Sequence, residues 1–176
     1  MSSSDQPTRR KALLALALVP TLMLGGCFRP MLADPTNGAP GLKDRLAAIS
    51  IDPVADRVGQ QVRNKLSFNL TGGTDAPPTR YTLALVSSNY SSTALLDAFN
   101  ATPQIDMVTV TVDFTLKDAA TGKVLYKAKM NTRKSFASGL QRFASIRAQR
   151  DAENDAAGVM ADQIRLRLAT WLADHP

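Results

Sequence analysis

The chain has 176 residues with one cysteine and one histidine, and a formal net charge of +6 from 21 Lys and Arg against 15 Asp and Glu. A lone thiol excludes an intramolecular disulfide and a CxxC metal or redox pair, and a lone histidine at position 175 leaves no base placed to activate a nucleophile. The 44% hydrophobic content suits a single core, and the positive balance favours anionic partners.

The first element is an export signal. Arg9, Arg10 and Lys11 precede the apolar run "ALLALALVPTLML", which is shorter than the roughly 20 residues a bilayer-spanning helix needs. "LGGC" follows and resembles a lipobox, the recognition site of bacterial lipoprotein signal peptidase. That resemblance implies cleavage before Cys27, lipid attachment through its sulfur, and residues 1–26 as a signal peptide. "TRRKALL" also faintly resembles a twin-arginine signal, with Ala12 where an aromatic is usual, so the export route stays open between Sec and Tat. Without the signal, whose three cations and one acid contribute +2, about 150 residues remain at a charge near +4. That is the ordinary size of one domain. Export argues against a nucleic-acid partner.

Residues 27–42 hold "FRPMLADPTNGAPG", rich in Pro and Gly, and read as a lipidated flexible tether to a domain over 43–176. "RLAAISI" reads as a first strand. Asp52-Pro53 reads as a helix start with Asp52 as cap. Val54, Val58, Val62, Leu66 and Leu70 then recur every four residues, the spacing of one helix face, until "TGGTDAPPT" ends the helix.

From Arg80 the period changes to two. Tyr81, Leu83 and Leu85 alternate, followed by a serine-rich extension. In "DMVTVTVDFTLKD", Val108, Val110, Val112, Phe114 and Leu116 point one way, and Thr109, Thr111, Asp113, Thr115 and Lys117 the other. "AATG" turns the chain into "KVLYKAKMNTRKSF", where Val124, Tyr126, Ala128 and Met130 alternate with Lys123, Leu125, Lys127 and Lys129; the pair reads as a hairpin. A second long helix follows Ser138, with Asp151, Glu153 and Asp155 near its start or in its first half and Arg165 and Arg167 near its end, an order that suits the macrodipole. Its buried stripe is Ala156, Met160, Ile164 and Leu168, with Val159, Trp171 and Leu172. The predicted fold is α+β: a two-layer sandwich in the order β-α-β-β-β-α, its four-stranded mixed sheet covered on one face by two helices.

No catalytic set can be assembled, so the expectation is a protein that is not an enzyme and holds no cofactor or metal. "DAEND" could offer metal ligands, but on a helix Asp151 and Asp155 share a face while Glu153 points away, as in a charge cluster at a helix start. Lys123, Lys127 and Lys129 alternate along one strand, with Arg133 and Lys134 just beyond. They are either a solvated face, guards of an edge strand, or an anion-binding row. Lys127 and Lys129 lie about 7 Å apart along a strand, close to the spacing of neighbouring anionic groups on a glycolipid.

"CFRPML", "IDPVADRVGQQVRNKLSFNL", "FTLKDAATGKVL" and "RFASIRAQRDAENDAAGVMADQIRLRLATWL", in this order behind a lipobox, resemble the LPS-assembly lipoprotein LptE family in its alphaproteobacterial form. The departures are a Gly missing after Cys27 and Phe136 where Tyr is expected. The resemblance implies a lipoprotein of the outer membrane, facing the periplasm and anchored by acyl chains on Cys27. It would plug and help assemble the LptD β-barrel and assist lipopolysaccharide insertion into the outer leaflet. Phe28, where Asp would signal inner-membrane retention, agrees with that address. The charge pattern adds Lys123, Lys127, Lys129, Arg133 and Lys134 as candidates for lipopolysaccharide binding. The alternatives are an independent envelope lipid carrier, which needs an enclosed apolar cavity, and an envelope hydrolase, which needs a polar catalytic cluster.

Overall fold

A computed structural model describes residues 40–99 and 103–175. The signal peptide, Cys27 and most of the predicted tether lie outside the described residues. The elements run α1 (Leu42–Ala47), β1 (Ile49–Ile51), α2 (Arg57–Thr71), β2 (Tyr81–Leu96), β3 (Pro103–Asp118), β4 (Val124–Ala137) and α3 (Arg142–Asp174). The strands lie in chain order in one sheet, with β1 parallel to β2 and the other pairs antiparallel.

The sheet is one-sided because its strands alternate. Val108, Val110, Val112, Phe114 and Leu116 of β3 are all essentially inaccessible, as are Val62 and Leu66 of α2 and Met160, Ile164, Leu168 and Leu172 of α3. Both long helices therefore lie over the same face. Each such aliphatic or aromatic side chain contributes about 1.5–3 kcal/mol by leaving water. Buried Ala156, Ala157 and Ala161 let α3 come close to its neighbours.

The predicted first strand, residues 45–51, is strand only over Ile49–Ile51, which pair with β2; Arg45–Ala47 belong to the short helix α1 (Leu42–Ala47). The period of two was too short there to separate strand from helix, and Leu42, assigned to the tether, opens α1. Residue Asp56 caps α2, in place of Asp52, accepting from the Gly59 N–H at 2.8 Å. Gly72, at φ 66°, ends the helix in the left-handed conformation that glycine adopts without strain. Val124 is a further correction. The β3–β4 register slips between Leu116 and Lys117, so Val124 pairs with Lys117 and is half exposed, facing away from the helices.

Helix α3 begins nine residues before Asp151, so the acidic cluster sits in the helix body and no acidic residue lies in the first turn. The macrodipole is met from elsewhere: Arg45 of α1 donates to the Leu172 carbonyl at 2.7 Å and to that of His175, a cation at the helix C-terminus. Glu153, the chain's sole glutamate, is 6% exposed rather than solvated. It pairs with Arg57 of α2 and accepts from Gln149 at 3.0 Å and Asn89 of β2 at 3.4 Å. Beside it, Asp56 accepts from Ser87 of β2 at 2.6 Å. A Cβ on Gly59 would lie 2.2 Å from that Ser87 hydroxyl oxygen, so glycine is what lets α2 approach β2.

Two predictions follow from these contacts. Glu153→Ala leaves Asn89 without its acceptor and Arg57 with Asn154 in place of a carboxylate, and is expected to lower unfolding free energy by about 1–3 kcal/mol in urea titration. A loss within ~0.5 kcal/mol, the usual surface value, would mean the carboxylate links nothing. In the β3–β4 turn, the Thr121 N–H and hydroxyl, then the Ala120 N–H and the Arg80 charge, hold the Asp118 carboxyl below its ordinary value. A depressed pKa means the turn's stabilisation is complete above the unfolded-state pKa and is lost as pH falls through the folded one. The Asp118 carboxyl chemical shift should therefore titrate below the ordinary aspartate range in the folded chain; a midpoint at the ordinary value would contradict this.

Candidate functional site

The face of the sheet turned away from the helices is assembled by register. Reading across β2, β3 and β4, it carries Ala84, Thr115 and Lys127; then Val86, Asp113 and Lys129; then Ser88, Thr111 and Asn131; then Tyr90, Thr109 and Arg133. Hydroxyl and amide side chains dominate, as expected of residues opposite a β-branched core face. Thr109 is buried although it belongs to this face, and its cross-strand neighbours are Tyr90 and Arg133.

Of the predicted cations, the structure brings together Lys127, Lys129 and Arg133, all exposed and at alternate positions of β4. Lys134 departs from the row: it shares the parity of Met130 and Phe136 and is half-buried on the helix side. Lys123 lies in the turn before β4, outside the paired strand, where its carbonyl accepts from the Asp118 N–H at 3.0 Å. The slip at Val124 breaks the alternation that would have aligned it.

The row is not uniformly cationic. Lys129 reaches Asp113 at 3.4 Å, with side chains 68% and 52% exposed. Arg57–Glu153 and Lys129–Asp113 are the salt bridges among the described residues, so Lys127 and Arg133 carry their charge without a carboxylate partner. Around Lys127 and Lys129 lies an open depression of about 570 Å³, lined also by Ala84, Val86, Asp113 and Thr115; Arg133 lies outside it. Sequence reasoning missed Asp113 as partner of Lys129 because cross-strand neighbours depend on register, which the turn sets. Such a surface can accept anionic groups by charge-assisted hydrogen bonds and can offer hydroxyls to a polar wall.

Other titratable groups are engaged elsewhere. The His175 ring stacks on Trp171 at 4.4 Å, and Trp171 stacks on Tyr126 at 5.9 Å. No group of His, Cys, Asp and Glu able to hold a metal ion occurs among the described residues. No helix among them is long and apolar enough to cross a membrane.

A family model described as LptE, lipopolysaccharide-assembly, matches residues 46–168. A crystal structure assigned as a lipoprotein from Caulobacter crescentus is similar, with a TM-score of 0.62 and 27% identity, covering 75% of this chain and 96% of that one. The crystal structure of rare lipoprotein B from Shewanella oneidensis shares the fold at a TM-score of 0.55 and 18% identity, over 72% of this chain and 95% of that one. No curated protein matches the sequence.

An exposed, screened ion pair contributes little. Lys129→Ser should therefore change stability by no more than ~0.5 kcal/mol in a urea titration; a loss above ~1 kcal/mol would show that the Asp113 pair holds the sheet together rather than lying on its surface.

Proposed function

We propose, from the premise that this chain belongs to the LptE lipopolysaccharide-assembly family, that it is an outer-membrane lipoprotein which plugs and helps assemble an LptD-type β-barrel. In this reading it faces the periplasm, anchored by acyl chains on Cys27, and assists insertion of lipopolysaccharide into the outer leaflet. The role in lipopolysaccharide assembly comes with the family; the barrel, the anchor and the membrane are the finer part of the proposal. One observation carries it: among the described residues, helices cover one side of the sheet and none covers the other, a field of Thr, Ser and Asn broken by a short cationic row.

That asymmetry suits a plug. A barrel lumen is polar, and a surface of hydroxyls and amides can exchange hydrogen bonds with it without burying unpaired charge. Lys127, Lys129 and Arg133 are the candidates for lipid A phosphates; Lys127 and Arg133 are the stronger two, because neither must first leave a carboxylate. Lys123 and Lys134 are set apart from this row by the fold. The reading assigns the chain no catalytic step and no cofactor. An independent carrier would shelter acyl chains in an enclosed cavity, whereas the depression on this face is open to solvent and Asp113, Thr115, Lys127 and Lys129 are among its lining.

Two measurements test the proposal. Purification of the full lipidated chain from detergent-solubilised membranes should recover a large β-barrel in fixed proportion, and recovery of the chain by itself would overturn the plug. Replacing Lys127, Lys129 and Arg133 together by Ser should weaken lipopolysaccharide binding at low salt by about tenfold or more, since charge-assisted contacts contribute ~1.5–3 kcal/mol each. Unchanged affinity would remove those residues from the site.

A further inference from the structure

The sheet has two edges, and they are built differently. On one side, β4 carries Lys127, Lys129, Arg133 and Lys134, the kind of charge that discourages another strand from pairing. On the other side β2 is barely covered. The strand runs from Tyr81 to Leu96, yet β1 pairs only with Tyr81–Leu83, and the Asp52 N–H adds a bond to the Leu83 carbonyl before the chain leaves for α2.

The orientation of the open groups follows from those bonds. Tyr81 and Leu83 direct their backbone N–H and C=O toward β1, so by alternation Leu85, Ser87, Asn89, Ser91 and Thr93 direct theirs the same way, while the even residues bond to β3. No backbone hydrogen bond engages the outward groups of Leu85 to Thr93 among the described residues. The stretch "LVSSNYSST" over 85–93 contains no charge, no proline and no glycine, and the β2–β3 register keeps perfect step through it. Within 85–93, and among the described residues, none of the usual devices that blunt an edge is present; the register shifts of β2 come only after Thr93.

We infer that residues 85–93 of β2 form a docking edge that takes one extended segment of the barrel partner's polypeptide as a fifth strand. The inference rests on the barrel reading above. A polypeptide backbone is the ligand whose donors and acceptors repeat at the spacing this edge presents. The strands of a closed barrel are already paired on both sides, so the segment comes from a loop or plug region rather than from the wall. Its side chains would lie beside Val86, Ser88, Tyr90 and Ser92 on the uncovered face. On the helix side they would meet Asn89 near the carboxylates of Glu153 and Asp56, which disfavours an acidic residue there. A second copy of this chain is the weaker occupant, since each copy, once residues 1–26 are removed, brings a like charge near +4.

The test is amide hydrogen exchange on the full chain, alone and in the complex purified with its barrel. In the free chain, the amides of Ser87, Asn89, Ser91 and Thr93 should exchange fast and those of Ser88, Tyr90 and Ser92 slowly. In the complex the first set should slow by about a hundredfold or more, reaching the protection of paired strands. Fast exchange of that set within a formed complex overturns the docking edge and leaves the plug reading intact; failure to form a complex overturns the plug reading. Protection that grows with concentration of the free chain assigns the edge to self-pairing and also overturns the inference. Ser91→Pro removes one outward N–H at a position where an edge strand tolerates proline, and should weaken the complex about tenfold. Unchanged affinity in a folded Ser91→Pro chain would contradict the docking edge; if the variant does not fold, the exchange measurement on the unaltered chain decides.

Discussion

One-sided burial of the β2–β3–β4 sheet is the constraint from which the rest follows. Val108 through Leu116 alternate without a break, and a shift of one residue would drive the entire apolar row into water while pulling Thr109, Asp113 and Lys117 under the helices. That cost fixes the register of three strands together. It also determines what the uncovered face displays, because those residues are whatever lies between the core positions. A hydroxyl-rich, weakly cationic surface is therefore held rigidly by a hydrophobic layer on its far side.

The second constraint is polar and ties the layers together. Asp56 caps α2 and binds Ser87; the next residue, Arg57, reaches Glu153 on α3, which also receives Asn89. Both links end on β2, where β1 has stopped and the strand continues with one edge open. The apolar core determines which face is inside, and these hydrogen bonds determine how far along β2 the helices sit. Gly59 belongs to the same device, since any side chain there would occupy the space of the Ser87 hydroxyl.

Much of this could be read from residue order. Four-residue spacing and strict alternation from Val108 to Leu116 are strong periodic signals. The second is borne out throughout and the first from Val58 to Leu70, while Val54, placed on the same helix face, precedes α2 and packs against the core from the connecting segment. Where the sequence misled, the physical signal was short or non-local. "RLAAISI" is too brief for its period to distinguish strand from helix, so α1 went unseen. Val124 looked inward because alternation was extended through a turn that slips the register. Glu153 was read as one member of a charge cluster at a helix start. It does lie in the first half of α3, pointing away from Asp151 and Asp155, but its burial had no local signal beyond its being the chain's sole glutamate. Its partners Arg57 and Asn89 lie far away in sequence. The cationic row was partly legible: Lys127, Lys129 and Arg133 do share a face, while Lys134 has the wrong parity and Lys123 precedes the slip.

The account claims that the uncovered face of the sheet is the surface that works. Photo-crosslinking in intact cells tests this most directly, with a benzoylphenylalanine placed either at Thr111 or Asn131 on that face, or at exposed Arg167 and Thr170 on the outer side of α3. Adducts with a large β-barrel from Thr111 and Asn131 are the predicted result. Adducts confined to Arg167 and Thr170, with none from the sheet, would contradict it.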